Sequence, residues 1–190
     1  MAIHNDVLRQ QIWEFFQNDL HSCLEVSRQV QQARASSSPI AFQGGLNFTS
    51  ALVIFSVLDL CSGFFSGAAP TTQTVSDFIT EYLGKRDRLF SDSNFSLEFY
   101  RVFRHGLAHQ WSPKRAGVSM DFNDPRVVFL LNENDPCLNV PPFFKLVCDS
   151  LHDFEDDLDN TSNLQQNFLK RYNSIVSQDQ TAANRLVRLL

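Results

Sequence analysis

The stretch from Ala51 to Phe65 is apolar on almost every side, and this feature restricts the folds open to the chain more than any other. A helix that is apolar all round belongs either in a protein core or in a membrane. The stretch is shorter than the roughly 20 apolar residues that a membrane-spanning helix needs, and Asp59 interrupts it. We therefore predict a core helix that begins near Asn47 or Thr49 and ends near Phe65, in a protein without a membrane segment.

Apolar residues recur at helical spacing through most of the remaining chain, which predicts a bundle of helices around this core. Asn5 or Asp6, Thr74 and Asn139 are the polar residues that we expect to cap three of these helices. The other predicted helices cover residues 6–34, 75–83 and about 94–109, a segment that follows Asn139 and has Pro141 at an early helical position, and one or two helices within 162–190.

One segment departs from the helical pattern. The β-rich runs Val118–Phe122 and Arg126–Leu130 flank a turn-forming Asn-Asp-Pro triplet, and such an arrangement predicts a β-hairpin. The sequence therefore predicts the all-α class, as a helical bundle of one domain over residues 1–190, with a small hairpin inserted after the fourth helix at about 117–131.

The charge of the chain bears on its partners. A formal net charge of −5 argues against broad electrostatic binding of nucleic acid, which is usual for basic proteins. A local basic cluster nevertheless lies at Arg101, Arg104, Lys114 and Arg115. The acidic run at 153–159 is most simply a solvated helix face.

The cysteines and the N-terminal sequence indicate the compartment. The four cysteines form no C-x-x-C pair and lie mostly within apolar helical patterns, which is typical of reduced, buried thiols. The N-terminal sequence lacks the layout of a signal peptide. We therefore expect a cytoplasmic protein with reduced cysteines.

Arg104 and His109 carry the clearest chemical signal in the sequence. Arg can bind a phosphate through two parallel hydrogen bonds, and His transfers protons near neutral pH, so the pair suits phosphate chemistry without a metal. Residues five apart on a regular helix are separated by roughly 140°, so these two side chains do not share one face. Arg101, His105 and His109 do share a stripe at four-residue spacing. The predicted site therefore includes both arginines and both histidines.

The Arg-x-x-x-x-His segment at 104–109 resembles the Arg-x(4–6)-His motif of HEPN (higher eukaryotes and prokaryotes nucleotide-binding) domains. In that family a polar residue commonly follows the Arg, and His105 stands there in this sequence. The aromatic segment at 99–103 and the segment at 110–114 are also similar to bacterial HEPN-like proteins of unknown function. The similarity covers about residues 95–114.

The resemblance implies an all-α fold with a long first helix and a homodimer in which the motifs of two subunits meet in one cleft. It also implies a metal-independent endoribonuclease of a toxin–antitoxin or phage-defence system, or a relative that only binds RNA, with a separate antitoxin chain as partner. In this interpretation Arg104 and His109 are catalytic, and His105, Arg101 and Lys114 bind the substrate. Neither a metal nor another cofactor is required.

Other interpretations of the same residues stay open. Arg104 could pair with Glu98 or Asp92, and His109 could cap the end of its helix. Asp59 could bond to Arg104 or to the backbone, or it could face solvent. The two histidines of the motif also form an H-x-x-x-H pair, but no third zinc ligand is evident, so we predict no metal site.

These interpretations lead to a second function. The chain would be a non-catalytic helical interaction module in which the Arg-x4-His motif supports dimer packing. An open cleft lined by Arg104 and His109 favours the nuclease, whereas burial of Arg104 in an intrachain ion pair favours the interaction module.

Overall fold

The structure of the chain is a computed structural model that describes most of its residues. At positions 34, 35, 109 and 110 it describes the backbone but not the side chain. The predicted caps Asn5 and Asp6 and the predicted ligand residue Lys114 also lie outside the described residues. The described residues are 12, 14, 16–35, 46–110, 116–131 and 133–187.

Six helices make up most of the described chain, so the predicted mainly helical class is confirmed. Helices α3 and α4 each contain a π-helical turn, and a short 3₁₀ turn, Arg88–Ser91, lies between them. The helices are α1 (Asn18–Ala35); α2 (Asn47–Ser66); α3 (Thr72–Phe78, the π-helical turn Ile79–Leu83 and Gly84–Arg86); α4 (Ser93–Phe99, the π-helical turn Tyr100–Arg104 and His105–Gln110); α5 (Val140–Asn160); and α6 (Ser162–Val187).

Helix α2 is the central helix that the apolar pattern predicts. Ala51, Ile54, Phe55 and Leu58 are fully buried on it. Its length and composition would allow it to cross a membrane, and 50% of its apolar window is buried inside the fold. The helix ends at Gly67, whose φ of 70° is the left-handed conformation that favours glycine at this position.

Aromatic rings join the helices around α2. Phe55 lies 5.5 Å from Phe99, 6.2 Å from Tyr100 and 5.3 Å from Phe143, measured between ring centroids, and so joins α2 to α4 and α5. The rings of Phe64 and Phe168 are 4.3 Å apart and fix α6 against α2. Much of the phenylalanine content of the chain thus serves the core.

The predicted hairpin is wrong in its pairing, although strands do form in this segment. Strands β1 (Gly117–Ser119), β2 (Val128–Leu130) and β3 (Pro136–Asn139) form a sheet in the order β1-β3-β2. The strand β3 pairs in parallel with β1 and antiparallel with β2, so the two runs expected to pair with each other lie on opposite sides of a third strand.

Asn139 explains why β1 and β2 do not pair. It is fully buried, and its side-chain amide donates to the carbonyl oxygens of Asp121 and Asp124 while accepting a bond from the Asp121 N–H at 2.9 Å. The side chains of Asp121 and Asp124 also accept bonds from N–H groups two residues onward, as turn-forming residues do. These bonds hold the connection between β1 and β2 as a broad loop rather than a tight turn.

Two predicted caps differ from the structure. Thr71, not Thr74, caps α3, and the two residues exchange side-chain to backbone bonds as a capping box. Asn139 does precede α5, with Pro141 in the first turn, but its side chain makes no cap bond because its amide bonds to the β1–β2 loop. The final segment forms one helix, α6, rather than two.

The four cysteines differ in burial: Cys61 and Cys137 are buried, whereas Cys23 and Cys148, which also lie in apolar helical patterns, are only half-buried. Cys61 is fully buried in α2, and this burial raises the pKa of its thiol to about 12. Burial also raises the pKa of Cys137, which lies in β3. A raised pKa disfavours the thiolate, which is the nucleophilic form, so neither thiol is activated by its surroundings.

Candidate functional site

Asp59 and Arg104 form an ion pair that joins the central helix α2 to α4, the helix that carries the Arg-x4-His motif. Arg104 donates from Nε at 3.1 Å and from Nη2 at 2.9 Å to the same carboxylate oxygen of Asp59. The other oxygen of Asp59 accepts the phenolic O–H of Tyr100 at 2.6 Å. The single acidic residue inside the apolar stretch thus has two partners on α4.

The local course of α4 places both partners on the side that faces α2. Tyr100 and Arg104 are the first and last residues of the π-helical turn, and their spacing of four residues brings them to one face of the helix. A π-helical turn within an α-helix occurs frequently at functional sites. This turn therefore positions the first residue of the motif.

The surroundings of Tyr100 and Arg104 raise the pKa of both donors. Burial and the hydrogen bond to Asp59 both raise the pKa of the Tyr100 phenol, which remains a neutral donor. Partial burial lowers the pKa of Arg104, but the hydrogen bond and charge of Asp59 outweigh this effect and raise it. Arg104 is thus positively charged, and the neighbouring Tyr100 hydroxyl keeps the proton that it donates to Asp59.

Arg104 is only partly enclosed. Its side chain is 27% exposed, against 16% for that of Asp59. A guanidinium carries five N–H donors, more than the two that Asp59 engages. The arginine is therefore fixed in direction by its partner while part of the side chain still reaches solvent.

His105 lies directly after the π-helical turn. Its ring packs edge-on against the ring of Tyr100, with centroids 5.4 Å apart. Leu107, two residues later, is 3% exposed and anchors the end of α4 in the core. The structure therefore places His105 beside the phenol that also contacts Asp59.

The acidic residues nearest to Arg104 in sequence have other roles. Glu98 pairs with Arg101 at 2.7 Å, and both side chains are well exposed. Asp92 caps α4 by accepting the N–H groups of Asn94 and Phe95. The alternatives in which Arg104 pairs with Glu98 or Asp92 are therefore wrong, and the pairing with Asp59 is the one that forms.

Two predicted site residues cannot be placed against this network. The backbone of His109 belongs to the last turn of α4, but its imidazole lies outside the described residues, as does all of Lys114. The convergence of Arg104 and His109 on one phosphate stays a prediction. Among the described side chains, no group of three or more His, Cys, Asp or Glu residues is arranged to hold a metal ion.

Tyr100 is the member of the network that the sequence analysis missed. The available signal was its position four residues before Arg104, on the same helical face, together with the need of a buried carboxylate for more than one donor.

The Asp59–Arg104 pair can be tested by a double-mutant cycle. Asp59→Asn leaves a partly buried guanidinium without its counter-charge, so we expect a loss of about 2 kcal/mol in the free energy of unfolding, less than a fully buried pair would lose. Arg104→Met should destabilise as well, and the double variant should lose less than the sum, with a coupling of about 1 kcal/mol. Urea unfolding followed by circular dichroism measures all four proteins.

The matched control for this cycle is the pair Arg28 and Glu25 on α1, which bonds at 2.8 Å on an exposed surface. Its coupling should be too small to resolve, since solvent screens exposed ion pairs. Additive losses for Asp59 and Arg104 would show that the bond between them adds nothing to stability.

No family model matches the chain, and the comparisons with curated proteins and with solved structures find no match either.

Proposed function

We propose that this chain is a HEPN-like, cytoplasmic, homodimeric protein that binds RNA and cleaves it without a metal, with a separate antitoxin chain as its partner. The observation that supports this proposal is the Arg104 guanidinium, held in one direction by Asp59 and left partly exposed at the start of the Arg-x4-His motif. A preorganised cation of this kind suits the charge that develops on a phosphate in a transition state.

The proposed reaction is an internal transfer at phosphorus. The RNA 2′-oxygen forms a bond to the adjacent phosphorus while the bond from phosphorus to the 5′-oxygen breaks. His109 takes the proton from the 2′-OH while water protonates the leaving 5′-oxygen, or His109 protonates the 5′-oxygen while water takes the proton from the 2′-OH. Arg104 stabilises the charge on the phosphate oxygens. His105, Arg101 and Lys114 hold the strand. The products are a 2′,3′-cyclic phosphate and a 5′-OH.

Asp59 has two opposing effects in this proposal. Its charge partly neutralises Arg104 and so weakens the long-range attraction of a phosphate. It also removes the rotational freedom of a long side chain, which lowers the entropy that Arg104 loses on binding. The proposal requires the second effect to matter more, because short contacts to a bound phosphate depend on direction.

A second candidate function is favoured by the same ion pair. An arginine that is bonded inside its own chain serves the fold, and this is the arrangement expected of a non-catalytic helical interaction module. In that case the motif stabilises the joint between α2 and α4 and supports dimer packing, and RNA is not a substrate.

The experiment that separates the two functions is incubation of the purified protein with total RNA in the presence of EDTA. We expect cleavage despite chelation, because the proposed reaction uses only side chains, and the new ends should carry 2′,3′-cyclic phosphate and 5′-OH groups. End-specific enzymatic labelling identifies them. Intact RNA contradicts the nuclease, and cleavage that EDTA abolishes contradicts its metal independence.

The chain offers a closely matched control for RNA binding. Arg101 and Arg28 each pair with a glutamate three residues earlier, at 2.7 and 2.8 Å, and their side chains are 49% and 47% exposed. Arg101→Ala should weaken RNA binding in a filter-binding assay, and Arg28→Ala should not. Equal losses would indicate a general charge effect rather than a site on α4.

A further inference from the structure

A second candidate site is a cleft that contains none of the three residues of the Arg104 network, which are Asp59, Tyr100 and Arg104. It has a volume of ≈ 720 Å³ and lies between the end of α3, the β1–β2 loop and the first turns of α5. Small-molecule sites commonly have volumes of about 300–1,000 Å³. The size of the cleft therefore suits a ligand with several rings or polar groups.

The apolar part of its lining offers flat surfaces. Phe122 comes from the β1–β2 loop, and Pro141, Pro142 and Leu146 come from α5. Phe122 is half-buried, so part of its ring is available to a ligand. Aromatic side chains bind nucleic-acid bases by stacking, and this contact tolerates any base because each has a π-face.

The charged part of the lining is formally balanced, but most of its charges are already bonded. Arg86 donates from Nε to Asp153 at 2.7 Å. Asp124 accepts bonds from Arg126, and Asp87 accepts the N–H of Leu89. These groups have partners within the fold and are poor candidates to hold a ligand.

Two cations are better placed to bind. Arg88 is exposed, and among the described residues it has no acidic partner. Lys145 bonds to Asp149 at 2.7 Å, but the lysine side chain is 76% exposed, and such a pair four residues apart on a helix surface exchanges easily for another anion. The cleft therefore places the guanidinium of Arg88 and the ammonium of Lys145 near the apolar surfaces of Phe122 and the two prolines.

We propose that this cleft binds a nucleotide, with the base against Phe122 and the prolines and the phosphate on Arg88 and Lys145. The nucleotide can be free or can be one unit of an RNA strand, since the two share the same ring and phosphate. The site contains no residue of the Arg104 network, so a test of nucleotide binding here does not depend on whether the chain is a nuclease.

Calorimetric titration of the full chain with AMP tests this site. We expect binding in the micromolar to millimolar range, and binding about tenfold weaker for Arg88→Ala, because a charge-assisted hydrogen bond is lost. Adenosine and ribose 5-phosphate, which each lack one half of the ligand, should also bind more weakly than AMP. Arg28→Ala is the control, since it removes the same charge from an exposed position outside the cleft lining.

Location is tested separately from affinity. In the ¹⁵N-labelled protein, AMP should shift the backbone amides of Phe122, Val127 and Leu146. Phe122→Leu should weaken binding, because it removes the ring but keeps an apolar side chain. A short oligoadenylate that competes with AMP identifies an RNA strand as the source, and one that does not compete identifies the free nucleotide.

Three results overturn the proposal. The first is no heat and no amide shifts at millimolar AMP. The second is an affinity that Arg88→Ala and Phe122→Leu leave unchanged. The third is ribose 5-phosphate binding as tightly as AMP, which would reduce the site to one for simple phosphates.

Discussion

Phe55→Ala is expected to lower the free energy of unfolding by about 3–5 kcal/mol, because it removes a fully buried ring and leaves a cavity that its neighbours cannot fill. The ring contacts Phe99, Tyr100 and Phe143, so its loss loosens α2 against both α4 and α5. Domains of this kind are stable by roughly 5–15 kcal/mol, so a large part of the total would be lost. Urea unfolding monitored by far-UV circular dichroism measures the change.

Phe48→Ala is the matched control for that variant. Phe48 lies on the same helix, α2, but is 36% exposed, so its removal should cost less than about 1 kcal/mol. Similar losses for the two variants would show that α2 is not the centre of the core. A broadened transition for Phe55→Ala alone would indicate that α4 and α5 no longer unfold together with α2.

The sequence predicted the part of the fold that local pattern controls. The bounds of α2 were predicted within a residue or two. The signals that set them, a polar residue at the start, a continuous apolar stretch and Gly67 at the end, all lie within one segment of the sequence. The strands near 117–131 were also located by composition. Their partners were not, since pairing depends on β3 and on the buried amide of Asn139, which acts across 18 positions of the chain.

The partner of Arg104 shows the same limit at the candidate site. Proximity in sequence favours Glu98 or Asp92, yet the bond goes to Asp59, 45 positions away on another helix. Burial decides the pairing, because a buried carboxylate needs hydrogen-bond donors. Glu98 and Asp92 already accept hydrogen bonds from donors nearby in the sequence. The sequence therefore indicated Arg104 as one possible partner of Asp59 but could not choose this pairing over the alternatives.

His109→Ala is expected to reduce RNA cleavage by about 10²-fold or more, because the proposed reaction loses its proton-transfer group. Arg104→Met should cause a loss of about 10²–10³-fold by removing the stabilising cation. The double variant should be little worse than either single one, since groups that act together in one step do not contribute independently. Rates are measured with a defined RNA by gel, under conditions where circular dichroism shows every variant to be folded.

The control for His109→Ala is His152→Ala, which removes a histidine with a 60% exposed side chain from α5 and should leave the rate unchanged. Arg104→Met alone is ambiguous, because it also breaks the bond to Asp59 and lowers stability. Asp59→Asn resolves this ambiguity, since it breaks the same bond but retains the guanidinium. If Arg104 acts on phosphate and Asp59 only directs it, Asp59→Asn should keep part of the activity that Arg104→Met loses. If both variants follow stability alone, and His109→Ala cleaves at the wild-type rate, Arg104 serves the fold and the chain is an interaction module.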